Sequence, residues 1–316
     1  MNLQPQKFIA CLLSLSILLV SCEKQKSNFR IATNLWPGYE MLYAARALGY
    51  YNNKKIRLIE AYSSSAVQRG LRNETLEAGA LTLDEALNLL QDGIDIRILL
   101  VIDESVGGDV ILAKPSIKNL QDLRGKKIGI NNSAVSTLLL DEALFKAGIK
   151  TNEIIQIPLT EDEQFQSYID GNIDALATFE PVRSQLLEKN ATILFSSAQI
   201  SGKILDVLVV RNEAINTYNE EIKSLLDGYF KSLNYFKRNP IKIAEIMKKR
   251  LGNNPLKQTD QLHFLTLNEN YIYLNKNNPK LKKSAENLKQ FMLKRKLLHH
   301  NFKLNTIVAP EFLPIK

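Results

Sequence analysis

Five carboxylates and a lone tryptophan carry the most informative chemistry in this sequence: Glu40, Asp84, Glu85, Glu180 and Asp206, with Trp36. Carboxylates accept hydrogen bonds and attract cations, and an indole ring offers a flat wall to a planar or cationic group. Set in one cleft, with Arg183 and Lys203 as the few basic candidates, they suit an amine, an amidine-like pyrimidine or another donor-rich ring. A sulfonate or nitrate site would ask for hydroxyls, amides and a positive partner. Polar residues that could complete such a cleft have a second use. Gly38 and Tyr39 open a helix, where backbone N–H groups face an oxygen. Ser63, Ser64 and Ser65 either donate to a ligand or cap a helix. Thr82 with Glu85 reads as a capping box or as ligand contacts. Asn131, Asn132, Ser133 and Ser136 follow a strand, and Trp36 itself serves equally as a wall or as core packing.

Catalytic patterns are absent. The three histidines are His263, His299 and His300, the last two beside Lys294, Arg295 and Lys296, which reads as a basic helix end. No H-E-x-x-H, G-x-S-x-G, P-loop or G-x-G-x-x-G occurs. Glu161, Asp162 and Glu163 share one helical turn and read as solvated. Two cysteines make neither a disulfide scaffold nor a four-cysteine zinc site. No metal site and no cofactor are expected.

The elements that must position the cleft are legible as an alternation. Apolar runs at Phe29–Thr33, Ile56–Ala61, Glu77–Leu81, Ile96–Ile102, Asp109–Ala113, Lys127–Ile130, Ile154–Pro158, Asp174–Ala177, Thr192–Phe195 and Val207–Val210 read as strands. Amphipathic stretches at 39–49, 66–73, 83–92, 135–147, 162–170 and 182–189 read as helices between them. Strand–helix–strand spacing predicts an α/β fold with mostly parallel sheets. In such sheets ligands bind beyond the carboxyl ends of strands, where the residues above fall. The chain length fits about two domains. Ala113-Lys114-Pro115 and Gly202–Asp206 read as crossings of a hinge, giving lobe I as 29–112 plus 206–316 and lobe II as 113–205. From Asn212 the chain is helical, broken near Pro240, Asn253–Pro255 and Asn277–Pro279.

Charge is uneven. The net +8 hides 20 Lys+Arg against 9 Asp+Glu in residues 211–316, and a slight acidic excess before them. The basic residues are mostly lysines without a nucleic-acid motif, so they read as solvated helical faces and no nucleic-acid partner is expected.

The start of the chain reads as an address. Phe8–Val20 is an apolar run of signal-peptide length, too short to span a bilayer, where about 20 residues are needed. Leu19-Val20-Ser21-Cys22 then resembles the bacterial lipoprotein processing site, which implies removal of 1–21, lipidation of Cys22, and residues 22–28 as a polar tether to the membrane.

Taken in order and spacing, Asn34–Glu40 (NLWPGYE), Glu77–Glu85 (EAGALTLDE), Ile117–Gly129 (IKNLQDLRGKKIG), Gly171–Ala175 (GNIDA) and Glu180-Pro181 resemble the periplasmic substrate-binding proteins of ABC importers. The group is the nitrate/sulfonate/taurine type, which shares its fold with pyrimidine-binding proteins of thiamine-precursor uptake. The resemblance covers residues 29–230, and the basic C-terminal part supports only a generic helical cap. It implies a two-lobed, type II-like binding protein, monomeric, on the periplasmic side or cell surface, that passes a small molecule to a permease and its ATPase. The ligand set would be Trp36, Gly38, Tyr39, Glu40, Ser63, Ser64, Thr82, Asp84, Asn132, Ser133, Glu180 and Asp206. Thiamine-pyrimidine synthases share the fold but rely on a histidine and a cofactor-bound lysine, and no histidine precedes His263. A sensory lipoprotein or a secreted enzyme of the same fold is the alternative.

Overall fold

The computed structural model describes residues 27–277, 279–304 and 306–315. The signal segment, Cys22 and most of the tether lie outside the described residues. From there the chain runs β1 (Phe29–Thr33), α1 (Glu40–Ala47), β2 (Ile56–Glu60), α2 (Ser64–Arg72), β3 (Ala78–Thr82), α3 (Leu83–Gln91) and β4 (Ile96–Ser105). It continues through β5 (Val110–Ala113), β6 (Lys127–Ile130), α4 (Ala134–Ala147), β7 (Ile155–Pro158), α5 (Gln164–Ile169), β8 (Ala175–Thr178), α6 (Val182–Leu187) and β9 (Thr192–Ser196). It ends with β10 (Leu205–Arg211), α7 (Ala214–Thr217), α8 (Asn219–Arg238), α9 (Pro240–Leu251), α10 (Pro255–Thr259), β11 (Leu262–Phe264), α11 (Leu267–Tyr273) and α12 (Lys280–Lys294).

Two sheets result, ordered β11-β4-β10-β3-β1-β2 and β7-β6-β8-β5-β9. They are mixed, which corrects the expectation of mostly parallel pairing. Neighbouring β1, β2 and β3 pair in parallel, as do β7, β6 and β8, but β10 lies antiparallel between β3 and β4, and β5 antiparallel between β8 and β9. The cause is the double crossing: a strand that enters a sheet through the hinge runs against the strands laid down by βαβ units. Strand β5 belongs wholly to the second sheet, so the first crossing is at 106–109 rather than at 113. The return to the first sheet runs through 197–204, between β9 and β10. The crossings are tied together: Ser197 Oγ takes the Gly107 N–H at 2.7 Å and meets Ser105 Oγ at 2.8 Å. Gly107 has φ +123°, a conformation that side-chain-bearing residues avoid.

Alternation along the strands feeds a core on each sheet face. In β5, Ile111 and Ala113 face Leu139, Leu140 and Ala143 of α4, whereas Val110 and Leu112 face Tyr168 of α5 and Leu186 of α6. In β1, Phe29 and Ile31 join the core that α1, α8 and α9 share, and Ala32 the one that α2, α3 and α12 share. The basic third is therefore scaffold. In α12, Leu281, Ala285, Leu288 and Met292 are buried at helical spacing while Lys282 and Lys283 are exposed. The three-residue β11 on the edge of the first sheet is an element the apolar pattern did not reveal. No helix among the described residues is long and apolar enough to cross a membrane.

Candidate ligand-binding cleft

A cavity of about 670 Å³ opens between the two sheets, at the carboxyl ends of their parallel strands. The first-sheet wall comes from the residues after β1 (Asn34, Trp36, Tyr39), after β2 (Tyr62 to Ser65) and after β3 (Thr82, Asp84, Glu85), with Asp206 from β10. The second-sheet wall comes from those after β6 (Asn131, Asn132, Ser133), after β7 (Leu159 to Asp162) and after β8 (Phe179). Asp109 and Ile204 line it from the crossings.

Local chemistry explains each placement. Ser63 caps α2 by accepting the Ala66 N–H at 3.2 Å, and Ser133 caps α4 by accepting the Ser136 N–H at 3.1 Å. Glu85 Oε2 takes the Thr82 N–H at 3.0 Å, so the capping reading holds there while both side chains still border the cavity. Asp84 joins the walls: Oδ1 accepts from Thr82 Oγ1 at 2.5 Å and Oδ2 accepts the Ala134 N–H at 3.0 Å, at the positive end of α4. Trp36 packs edge-on against Phe179 across the cleft, centroids 5.9 Å apart. Tyr39 donates its hydroxyl to Asp206 Oδ1 at 2.5 Å, and its backbone N–H is used on Trp36 O at 3.1 Å, so it is not spare for a ligand.

Among the described residues, six carboxylates border the cavity (Asp84, Glu85, Asp109, Glu161, Asp162 and Asp206) against one arginine, Arg69, which is itself bonded to the Tyr62 hydroxyl. Burial without counter-charge raises the affinity of Asp84, Glu85, Asp109, Glu161 and Asp206 for protons. It pushes Glu85 up to about 7, reinforced by the Asp84 charge. It pushes Asp109 up to about 6, again with Asp84 adding to it. Asp206 stands well above the usual carboxylate range, through burial and then the neighbouring Asp103. Asp103, behind the wall, is pushed up to about 8 by burial, with the nearby Trp36 indole pulling the other way. No group of three His, Cys, Asp or Glu among the described residues is arranged to hold a metal ion.

Of the residues singled out in the sequence, Trp36, Tyr39, Ser63, Ser64, Thr82, Asp84, Asn132, Ser133 and Asp206 border this cavity. Gly38, Glu40 and Glu180 do not, for distinct reasons. Gly38 lies behind Trp36, where an added Cβ would fall 1.8 Å from Asp103 Oδ2. Glu40 is fully buried and paired with Arg250, which stacks 3.4 Å over the Tyr43 ring. Glu180 is 1% exposed and turned inward, accepting from Arg183 Nη1 at 3.0 Å, Ser184 N at 3.1 Å and Ser184 Oγ at 2.9 Å. The strand end was right and the side chain wrong: Phe179, one residue earlier, faces the cleft. Glu161 and Asp162, read as solvated, sit at the cavity edge because the turn before α5 faces the other wall. Asp109 and Asp103 carried no motif, although Asp109 begins a strand segment that the sequence did mark.

The family model described as NMT1/THI5 like matches residues 36–243. A Haemophilus influenzae protein assigned to thiamine biosynthesis is 21% identical over 271 residues, covering 82% of this chain and 86% of that one. The taurine-binding periplasmic protein of Escherichia coli is 23% identical over 181 residues, 56% of each chain. The structure of the periplasmic aliphatic sulphonate binding protein of Escherichia coli superposes with a TM-score of 0.74 at 17% identity, covering 89% of this chain and 97% of that one. The fold is thus that of a two-lobed periplasmic binding protein, and with its family model spanning both sheets the chain belongs to the NMT1/THI5-like family.

Proposed function

We propose that this protein captures a nitrogen-bearing, donor-rich small molecule, an aminopyrimidine or a small amine, between its two sheets and delivers it unaltered to an ABC permease on the periplasmic side of a bacterial membrane. The periplasmic binding proteins among its relatives support the solute-binding role. The ligand class rests on one observation: among the described residues, six carboxylates and four aromatic rings (Trp36, Tyr39, Tyr62, Phe179) border a cavity with a single arginine. A sulfonate placed there would meet like charge and lose its hydration, whereas a cation or a ring rich in N–H groups would gain partners.

The mechanism is mechanical. A ligand touching both walls stabilises the closed form by the contacts that the open form lacks. The crossings at 106–109 and 197–204 take up the change in dihedral angles, and Asp84 to Ala134 N, Trp36 to Phe179 and the Arg295–Asp141 ion pair are among the direct contacts that opening would break. Cys22 then holds the protein at the membrane through acyl chains. Calorimetry with an aminopyrimidine, putrescine, taurine and nitrate tests the ligand class. Binding of one of the first two is expected; tight taurine or nitrate binding with no amine binding overturns it. For the anchor, Cys22→Ala is expected to move the protein from the membrane pellet to the soluble fraction, and a variant that still pellets ends the lipidation reading.

A further inference from the structure

Behind the cavity wall sits a carboxyl group that the ligand site does not expose. Asp103 on β4 has no exposed surface, and among the described residues no hydrogen bond of good geometry reaches either of its oxygens, although the Trp36 indole N–H and the Asp206 carboxyl lie beside it. The space is closed, since a Cβ on Gly38 would come within 1.8 Å of Asp103 Oδ2 and 2.7 Å of Trp36 Nε1. Asp103 is the direct cross-strand partner of Asp206, which does border the cavity.

The charged and titratable groups around the pair are all acids or phenols. Asp109 comes from the crossing, Glu104 from the next position on β4, Tyr39 from the turn after β1 and Tyr229 from α8, with Asp84 and Glu85 farther along the wall. On β11, Phe264 stands opposite Asp103, and His263 is paired with Glu269 at the exposed edge. Among the described residues, no lysine or arginine is named with them. Two ionised carboxylates side by side in a dry site repel strongly, and each can only accept. A single proton between them removes the repulsion and supplies the missing donor.

We propose that Asp103 and Asp206 hold one proton jointly while the cavity is empty, and that a cation bound against Asp206 expels it. The step is complete as written: the carboxyl O–H bond breaks, its electron pair stays on oxygen, and the proton passes to the buffer as the ligand takes its place. Asp103 thereby acts as a positioning residue that makes the site discriminate by charge. The inference rests on the proposed ligand class only for the second half, the expulsion. The sign follows from linkage: binding releases a proton, so affinity for a cation rises with pH, by up to tenfold per unit, until the empty pair is itself ionised.

Trp36 is the only tryptophan and lies beside Asp103, so its fluorescence reads the proton without any ligand. Titrating the empty protein is expected to give a one-proton transition at about 8 that moves to lower pH in Asp103→Asn and in Asp206→Asn, where the remaining carboxyl no longer faces a second charge, with circular dichroism confirming that each variant is folded. A flat titration, or the same transition in both variants, overturns the shared proton. Putrescine calorimetry in two buffers of different ionisation enthalpy is expected to show release of up to one proton per molecule bound, and none in Asp103→Asn. If putrescine binds without proton release, the inference fails and the ligand class stands. If no cation binds while the Asp103-dependent transition persists, the ligand class fails and the expulsion with it.

Discussion

The molecule buries carboxylates in two ways. Glu40 at the start of α1 and Glu180 just before α6 are as hidden as Asp103 and Asp206 beside the cavity: 0%, 1%, 0% and 2% exposed. The first two each meet an arginine, Arg250 and Arg183. The other two meet a phenol, an indole and each other. Burial alone therefore does not separate a structural carboxylate from one that faces a ligand; an internal cation does. A carboxylate that has its arginine has a fixed partner and holds the fold together, although burial still pushes Glu40 up to about 7 against the pull of Arg250. One without a cation must take up a proton or wait for a positive ligand.

The sharpest way to break this contrast is Glu180→Ala. It leaves the Arg183 guanidinium, 5% exposed, without its partner and removes the acceptor of Ser184 N–H. Removing one member of a buried ion pair costs about 3–5 kcal/mol, and chemical denaturation is expected to show a loss of that order. Affinity of the folded fraction for the ligand should hold, because Glu180 does not border the cavity. Weakened binding with full stability would return Glu180 to the site and end the distinction.

Asp206→Asn works in the opposite sense. The amide keeps the shape and a partner for Tyr39 while removing charge repulsion, so stability is expected to be unchanged or to rise. Cation affinity should fall by about 2 kcal/mol, roughly 30-fold, the lower end for losing a buried charge partner. Calorimetry with putrescine against denaturation of the same variant separates the two effects. A variant that loses stability and keeps its affinity would place Asp206 with Glu180.

Much of the scaffold was legible because its cues are local. β1 and β6 begin and end where the sequence placed them, since β-branched and aliphatic runs there stop at polar residues that turn the chain. The shell of the cleft followed, because strand ends are where βα loops must be. What escaped is non-local. Glu40 looked available because its partner Arg250 lies 210 residues on. Asp103 falls one residue past the expected end of its strand, and only pairing with the return strand brings it against Asp206. At the end of β8, choosing between Phe179 and Glu180 needs the direction of a side chain, which a one-residue offset reverses.

The smallest expected effect concerns the serines left between capping and ligand contact. Ser63 sits in extended backbone, φ −158° and ψ 161°, with its oxygen on the Ala66 N–H at the start of α2, while half-buried at the cavity edge. A cap uses a lone pair; a ligand contact would use the hydroxyl hydrogen or the other lone pair. The two roles respond differently to replacement. Loss of a serine cap to alanine costs about 1 kcal/mol, whereas glycine in the same place costs only a few tenths. If Ser63 is a cap alone, Ser63→Ala should lower stability by that amount, Ser63→Gly should recover most of it, and both should bind an aminopyrimidine within about twofold of the parent. If both lose roughly tenfold in affinity whatever their stability, the hydroxyl is a ligand contact, and the first-sheet wall recognises its occupant with neutral groups as well as with unpaired acids.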